Sequence, residues 1–322
     1  MSSSPTRNGL LVITGFIVAV LLLGALLAPP MFWAAKAVGH SLNITFLNEL
    51  AFTSVYDRAA LLVALVGLWP LFKSMQLRRD EVVGSTPFAI GRRQILTGFF
   101  FAVVFIIIMS VICMQFGVFK LAKKPAWGGF MLPLISGFSV AFLEEFLFRG
   151  AVQSVLTRST GRLGGVFWTT MLFATVHFLK PPAHEAIADA DVTWTTGFWV
   201  VSQLFRGFAS LDSIVPEFFL LSAVGLILAL ARLGTRGLWL SIGLHAGWVA
   251  GMKYFSQLTS TTKALRAGDF APWMVENHCK AIVSATVGIV PLITVLITGA
   301  IVLRLYRASP APDENHVART DV

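Results

Sequence analysis

The sequence predicts an all-α fold: a polytopic membrane bundle of about eight transmembrane helices. Three observations predict it. Hydrophobic residues make up 56% of the 322-residue chain, and charged residues only 13%, against about 25% in an ordinary soluble domain. The apolar residues come in runs of about 20, the length that crosses a bilayer core. The charged residues collect between those runs. One transmembrane helical domain is expected over 1–303, followed by a disordered polar tail over 304–322.

The first apolar run spans about 9–28 and ends at Pro29-Pro30. It is longer than a signal-peptide core and has only Arg7 before it, so it reads as a retained span. The mixed stretch 30–57 reads as a loop with room for an interfacial helix. The second span is short of apolar residues unless it starts near Leu50. Lys73, Arg78, Arg79, Arg92 and Arg93 then mark a cytoplasmic loop. The third span is about 94–119. The fourth runs from Trp127 to about Thr157, and the fifth from Gly161 to about residue 179. The break over 180–214 has room for a short amphipathic helix near Trp194–Phe208. The sixth span, about 216–233, places Pro216 at a first helical position. The seventh is about 237–255 and the eighth about 281–303. Eight spans put both termini on one side. The cytoplasmic assignment leaves 14 Lys and Arg on that side against 11 on the other, so the reading is a multi-pass protein of the plasma (inner) membrane with N- and C-termini cytoplasmic.

Composition also excludes functions. The net charge of +9 is scattered over span ends, and no aromatic-interleaved basic face points to nucleic acid. Cys113 and Cys279 are the only cysteines, so neither a disulfide framework nor a CxxC metal pair exists. No phosphate-binding glycine loop follows a strand-like segment.

The residues that invite chemistry lie inside the spans. Phe142-Leu-Glu-Glu-Phe-Leu-Phe-Arg149 carries two carboxylates and a guanidinium in an apolar chain, where each charge costs a few kcal/mol. Glu145 and Arg149 are four apart, the spacing of a helical ion pair. Glu144 is turned about 100° away from Glu145, which suits a general base. An interfacial charge cluster is the alternative reading. His177 lies near the end of the fifth span, where an interfacial polar residue is the plainer interpretation. His245 lies near the middle of the seventh, between Gly243 and Gly247, and the glycines permit close backbone approach. His40, His184, His278 and His316 fall in expected loops or the tail. Ser136, Ser139, Ser222 and Ser241 read as helix-packing contacts. Two carboxylates and two histidines on three spans can activate water and stabilise an oxyanion. Glu144, His177 and His245 also match the ligand count of a catalytic zinc site.

The ordered set Glu144-Glu145-x-x-x-Arg149, Phe173-x-x-x-His177 and His245 resembles the CPBP family, which comprises CAAX prenyl endopeptidases and bacteriocin-processing or immunity proteins (Abi). The likeness covers a core of about 130–255. It implies a helical intramembrane protease acting on a membrane-associated peptide or lipidated protein. It further implies that Glu144 activates water with help from His177, that Glu145 and Arg149 support it, and that His245 stabilises the oxyanion, with or without a metal such as zinc. The family's third motif reads His-x-x-x-Asn or Asp, whereas Val249 stands four residues after His245. Valine offers no hydrogen bond, so Lys253 or a water is needed in its place, or turnover is slow. That departure motivates a second reading, a non-catalytic protein of the same fold serving as an immunity factor or scaffold. A proton-coupled transporter is a third, but the chain shows no inverted repeat.

Overall fold

A computed structural model of the chain describes residues 8–179, 187–204, 211–263 and 289–307. Five helices are long and apolar enough to cross a membrane: Gly9–Leu42, Phe52–Met75, Phe88–Gln115, Met131–Val176 and Glu217–Thr235. The protein is an integral membrane protein built as a helical bundle. Each expected span overlaps a helix, though the third ends at Gln115 rather than about 119, where a short strand begins. The chain forms two compact units, Met1–Val83 with Phe146–Gly225 and Gly84–Glu145 with Leu226–Val322.

In the first unit, α1 (Gly9–Leu42) continues through Pro29-Pro30 for 34 residues, so the loop expected at 30–57 is largely helical. A proline donates no hydrogen bond to the carbonyl four residues back, and for Pro29 that carbonyl belongs to Ala25. Here α8 (Thr196–Gln203) closes on it: a Cβ on Gly197 would stand 2.0 Å from the Ala25 oxygen. The freed carbonyl therefore faces a backbone surface where only glycine fits. The far half of α1 is held by burial of Phe32 with Val192, Val200 and Leu204. Buried Lys36 adds a hydrogen bond to the Asn48 carbonyl at 2.6 Å and an ion pair with Asp189 at 2.7 Å. After the short α2 (Thr45–Asn48), α3 (Phe52–Met75) packs along α1, starting close to the Leu50 that the sequence required. The amphipathic segment expected at 194–208 is α8 and its neighbours; residues 205–210 lie outside the description.

A short α4 (Arg79–Val82) follows α3. Its Glu81 receives Arg158 Nε at 2.8 Å and the Arg78 backbone N–H at 2.7 Å, while Arg158 Nη1 holds the Met75 carbonyl at 2.7 Å. Burial pushes the Glu81 carboxyl up, but the hydrogen bonds and charge of Arg158 outweigh it and hold the group below its ordinary range.

The expected fourth and fifth spans form one 46-residue stretch. It comprises α6 (Met131–Glu145), a π-helical segment (Phe146–Val152) and α7 (Gln153–Val176). The stretch reverses at Gly161, whose φ of 76° favours glycine. A Cβ on Gly165 would lie 2.9 Å from the Thr157 backbone, and the Phe148 and Phe173 rings meet at 5.2 Å. Residues on either side of Gly161 thus pack back to back as a helical hairpin.

The second unit is built around α10 (Trp239–Leu258), a helix of 20 residues and so about 30 Å long. It runs parallel to α5 (Phe88–Gln115) and antiparallel to α6. From Leu240 to Trp248 every residue is buried, and this shielding from lipid lets α10 be less apolar than the five spans above. Its contact with α5 is a ladder of small residues, Gly243, Gly247 and Gly251. A Cβ on Gly243 would stand 2.3 Å from the Ile95 carbonyl oxygen, and one on Gly247 2.6 Å from Ala102 Cβ. The strands β1 (Phe119–Leu121) and β2 (Thr259–Thr261), absent from the sequence reading, close the far ends of α5 and α10 as an antiparallel ribbon. The helix α9 (Leu211–Thr235) begins before Pro216, which lies in its second turn rather than at its first position. The last helix, α11 (Ile289–Arg307), holds the described part of the eighth span; 281–288 and the tail beyond Arg307 lie outside the description.

Gly243→Leu should lower thermal stability of the purified protein by about 3 kcal/mol or prevent folding, because backbone rather than a side chain blocks the new atoms; detergent-solubilised yield and melting temperature measure it. For Glu81 the folded pKa is depressed, so its contribution is present above the unfolded value and is lost as pH falls through the folded one. Both partners are about one-third exposed, which limits the effect to about 1 kcal/mol or less. The melting-temperature gap between wild type and Glu81→Gln should therefore be small at neutral pH and close below about pH 4.

Candidate active site

The glycine ladder fixes where His245 points. Gly243 and Gly247, two residues to either side, face α5, so His245 projects about 160° away from that contact. On the side of α10 that it reaches, α6 delivers Glu144 and Glu145. The α6 approach is again close: a Cβ on Gly137 would lie 2.8 Å from the Ala246 carbonyl oxygen.

Glu145 and His245 form a buried pair. Glu145 is 0% exposed, and its Oε1 lies 2.8 Å from His245 Nδ1. With a carboxylate as acceptor, Nδ1 carries the proton and Nε2 becomes the working nitrogen. That Nε2 lies 3.8 Å from Glu144 Oε2, and the Glu144 side chain is 30% exposed. The neighbouring carboxylates therefore differ: Glu145 is sealed against the imidazole and Glu144 opens outward. A water at about 2.8 Å from each reaches both Glu144 and Nε2.

The spacing of Glu145 and Arg149 is that of an α-helical pair, but the helix is π-type from Phe146 to Val152, a form common at functional sites. The contacts seen for Arg149 lie within the first unit. It is fully buried, donates from Nη2 to the Gly225 carbonyl at 3.2 Å, and stands 4.4 Å from the centre of the Phe173 ring. His177 caps α7 in the same unit. Its ring lies 4.5 Å from that of Phe173, and its Nδ1 is 2.6 Å from the Phe173 carbonyl oxygen. Nδ1 is the donor there, so Nε2 carries the lone pair in the neutral ring.

Val249 is half-buried, and Lys253 does not replace its missing polar contact. Lys253 lies two turns beyond His245, about 12 Å along the helix, and donates to Ser136 Oγ. Trp248, passed over in the sequence, is better placed. It is one turn from His245, 4% exposed, and its indole N–H finds no hydrogen-bond partner among the described residues. The available signal was a donor-only side chain inside a glycine-rich span, within one turn of the histidine. His40 is exposed at the end of α1, while His184, His278 and His316 lie outside the description.

The pair is not central in the helix. His245 is six residues from the start of α10, about 9 Å, and 14 residues from β2, about 21 Å. The nearer end carries exposed Arg92, Arg93 and Arg236.

Among the described residues, no group of three or more His, Cys, Asp or Glu side chains is arranged to hold a metal ion.

No curated protein and no protein of solved structure shows significant similarity to the chain. Residues 126–251 match the family model described as type II CAAX prenyl endopeptidase Rce1-like. The matched segment contains Glu144, Glu145, Arg149, His177 and His245. Over this core the chain is similar to the family that its three motifs indicated, the CPBP proteins that include the CAAX prenyl endopeptidases.

Proposed function

We propose that the protein is an intramembrane endopeptidase that hydrolyses a peptide bond of a membrane-associated peptide or lipidated protein near one membrane surface. The family match supports an endopeptidase of this general class. The observation that carries the reading is the buried Glu145–His245 pair beside the partly exposed Glu144.

In this mechanism Glu144 is the general base. A water held between Glu144 Oε2 and His245 loses a proton to the carboxylate as its oxygen attacks the scissile carbonyl carbon. Glu145 is a positioning residue: it fixes the imidazole through Nδ1. His245 enters the step already protonated on both nitrogens, between the Glu145 and Glu144 carboxylates, and donates from Nε2 to the developing oxyanion without change in its own proton count. The indole N–H of Trp248 is the second donor, in the role left open by Val249. As the tetrahedral intermediate collapses, the carbon–nitrogen bond breaks and Glu144 returns its proton to the leaving amine. The products are a carboxylate and a free amine. The family resemblance gives His177 a share in activating water, through Nε2. The charge bias between the two sides supports an orientation with both termini in the cytoplasm, in keeping with a protein of the plasma (inner) membrane.

Purified protein in proteoliposomes, supplied with membrane-tethered and prenylated peptides, tests the assignment. Glu144→Gln and His245→Ala should each reduce hydrolysis by at least about 1000-fold with the fold intact. Residual cleavage in the double variant at the wild-type rate would refute it. Trp248→Phe removes one N–H with little change of shape, and kcat should fall by about 100-fold while KM stays nearly constant. Glu145→Gln should depress kcat and change the shape of its pH profile, because the amide's preference for the imidazole tautomer differs from the carboxylate's.

A further inference from the structure

The end of the second unit farther from the Glu145–His245 pair carries a built cationic surface that catalysis does not use. β1 and β2 join there, with Lys120 opposite Ser260. The ribbon is extended by backbone bonds from Ala122 N–H to the Leu258 carbonyl and from Thr262 N–H to the Val118 carbonyl, at 2.9 and 3.3 Å. One side of it is sealed inward: Val118 and Phe119 are buried, and Phe119 meets Phe255 edge-on at 5.1 Å. The outward side bears Lys120, Lys123, Lys124 and Lys263, all exposed. Neither 116–130 nor 250–263 contains an aspartate or glutamate. No ion pair is seen for these four lysines among the described residues.

Apolar groups surround this charge. Phe116, Leu121, Trp127 and Phe130 are 48–60% exposed, and the Tyr254 hydroxyl donates to the Trp127 carbonyl at 2.7 Å. Lysines above a collar of exposed aromatic and apolar side chains, at the end of a span-length helix, occupy the level of lipid headgroups. A soluble anion would use the charge and leave the collar idle; a phospholipid uses both.

We infer that this ribbon binds the headgroups of anionic phospholipids, with the collar of Phe116, Trp127 and Phe130 against their acyl chains. Lysines at a span end attract the anionic headgroups of the leaflet they face, over about a Debye length. The bound lipids hold the ends of α5 and α10 at the membrane surface.

The test is native mass spectrometry of the full chain in mild detergent with equal phosphatidylglycerol and phosphatidylcholine. The wild type should retain phosphatidylglycerol several-fold over phosphatidylcholine. The combined Lys120→Gln, Lys123→Gln, Lys124→Gln and Lys263→Gln variant should lose that preference, and the corresponding Lys→Arg variant should keep it. Should the fourfold variant fold poorly, the pair Lys123→Gln and Lys124→Gln, outside the strands, should show an intermediate loss at an unchanged melting temperature. Equal retention of both lipids by the wild type, or an unaltered preference in the glutamine variants, overturns the inference. Displacement of the lipid by millimolar inorganic phosphate, or by an acidic peptide, overturns it as well by showing a soluble partner. Lipid retention is read without any substrate, so its outcome is independent of the protease assignment.

Discussion

The approach of two backbones on the glycine ladder of α10 is the constraint on which the site depends. Three positions spaced by four carry no side chain, and α5 fills the space. A helix packed this closely cannot rotate about its axis without driving backbone atoms together. The orientation of His245 is therefore set by residues that take no part in its chemistry. The same logic recurs where α6 meets α10 at Gly137. Between these contacts the imidazole and the Glu145 carboxylate meet in a buried hydrogen bond, and a charge that would be costly alone is offset by its partner.

The first unit uses a different device for its polar groups. The hairpin at Gly161 lays the π-helical segment against α7, so that Phe148 and Phe173 meet edge to face and Arg149 rests on the face of Phe173. An arginine with no exposed surface donates there to a backbone carbonyl and rests on a ring quadrupole. Phe173 also receives the His177 ring, and its carbonyl fixes the tautomer. One phenylalanine thus organises two of the motif residues.

Much of this was legible in the sequence because a bilayer simplifies the code. Long apolar runs give helices, and an ionisable residue within one is conspicuous; Glu144, Glu145, Arg149 and His245 stood out on that ground. Gly161 was readable as a boundary between helices. What could not be read depends on contacts distant in sequence. Pro29-Pro30 looks like a helix end until Gly197 is seen to face the Ala25 carbonyl. Nothing in Phe146–Val152 announces a π-helix, and the contact of Glu145 with His245, 100 residues away, leaves no local trace. Trp248 was overlooked because an indole in a membrane span is ordinarily an apolar group; only its unpartnered N–H, visible in three dimensions, distinguishes it. The ribbon of β1 and β2 has three residues per strand, too few to leave a periodic trace.

For the proposed endopeptidase, the off-centre depth of His245 limits what can be cut. A polypeptide crossing hydrocarbon keeps its amides paired inside its own helix, and a paired carbonyl is shielded from attack. A bond reached about 9 Å from the near end of α10 requires only the last few residues of such a helix to unravel, close to the headgroups where water can re-pair the freed amides. A bond reached from the other end would require more than twice that length to come apart in oil. The position of one histidine along its helix thus selects for chains that enter from one face and carry weakly helical sequence there, before any side chain of the substrate has been read.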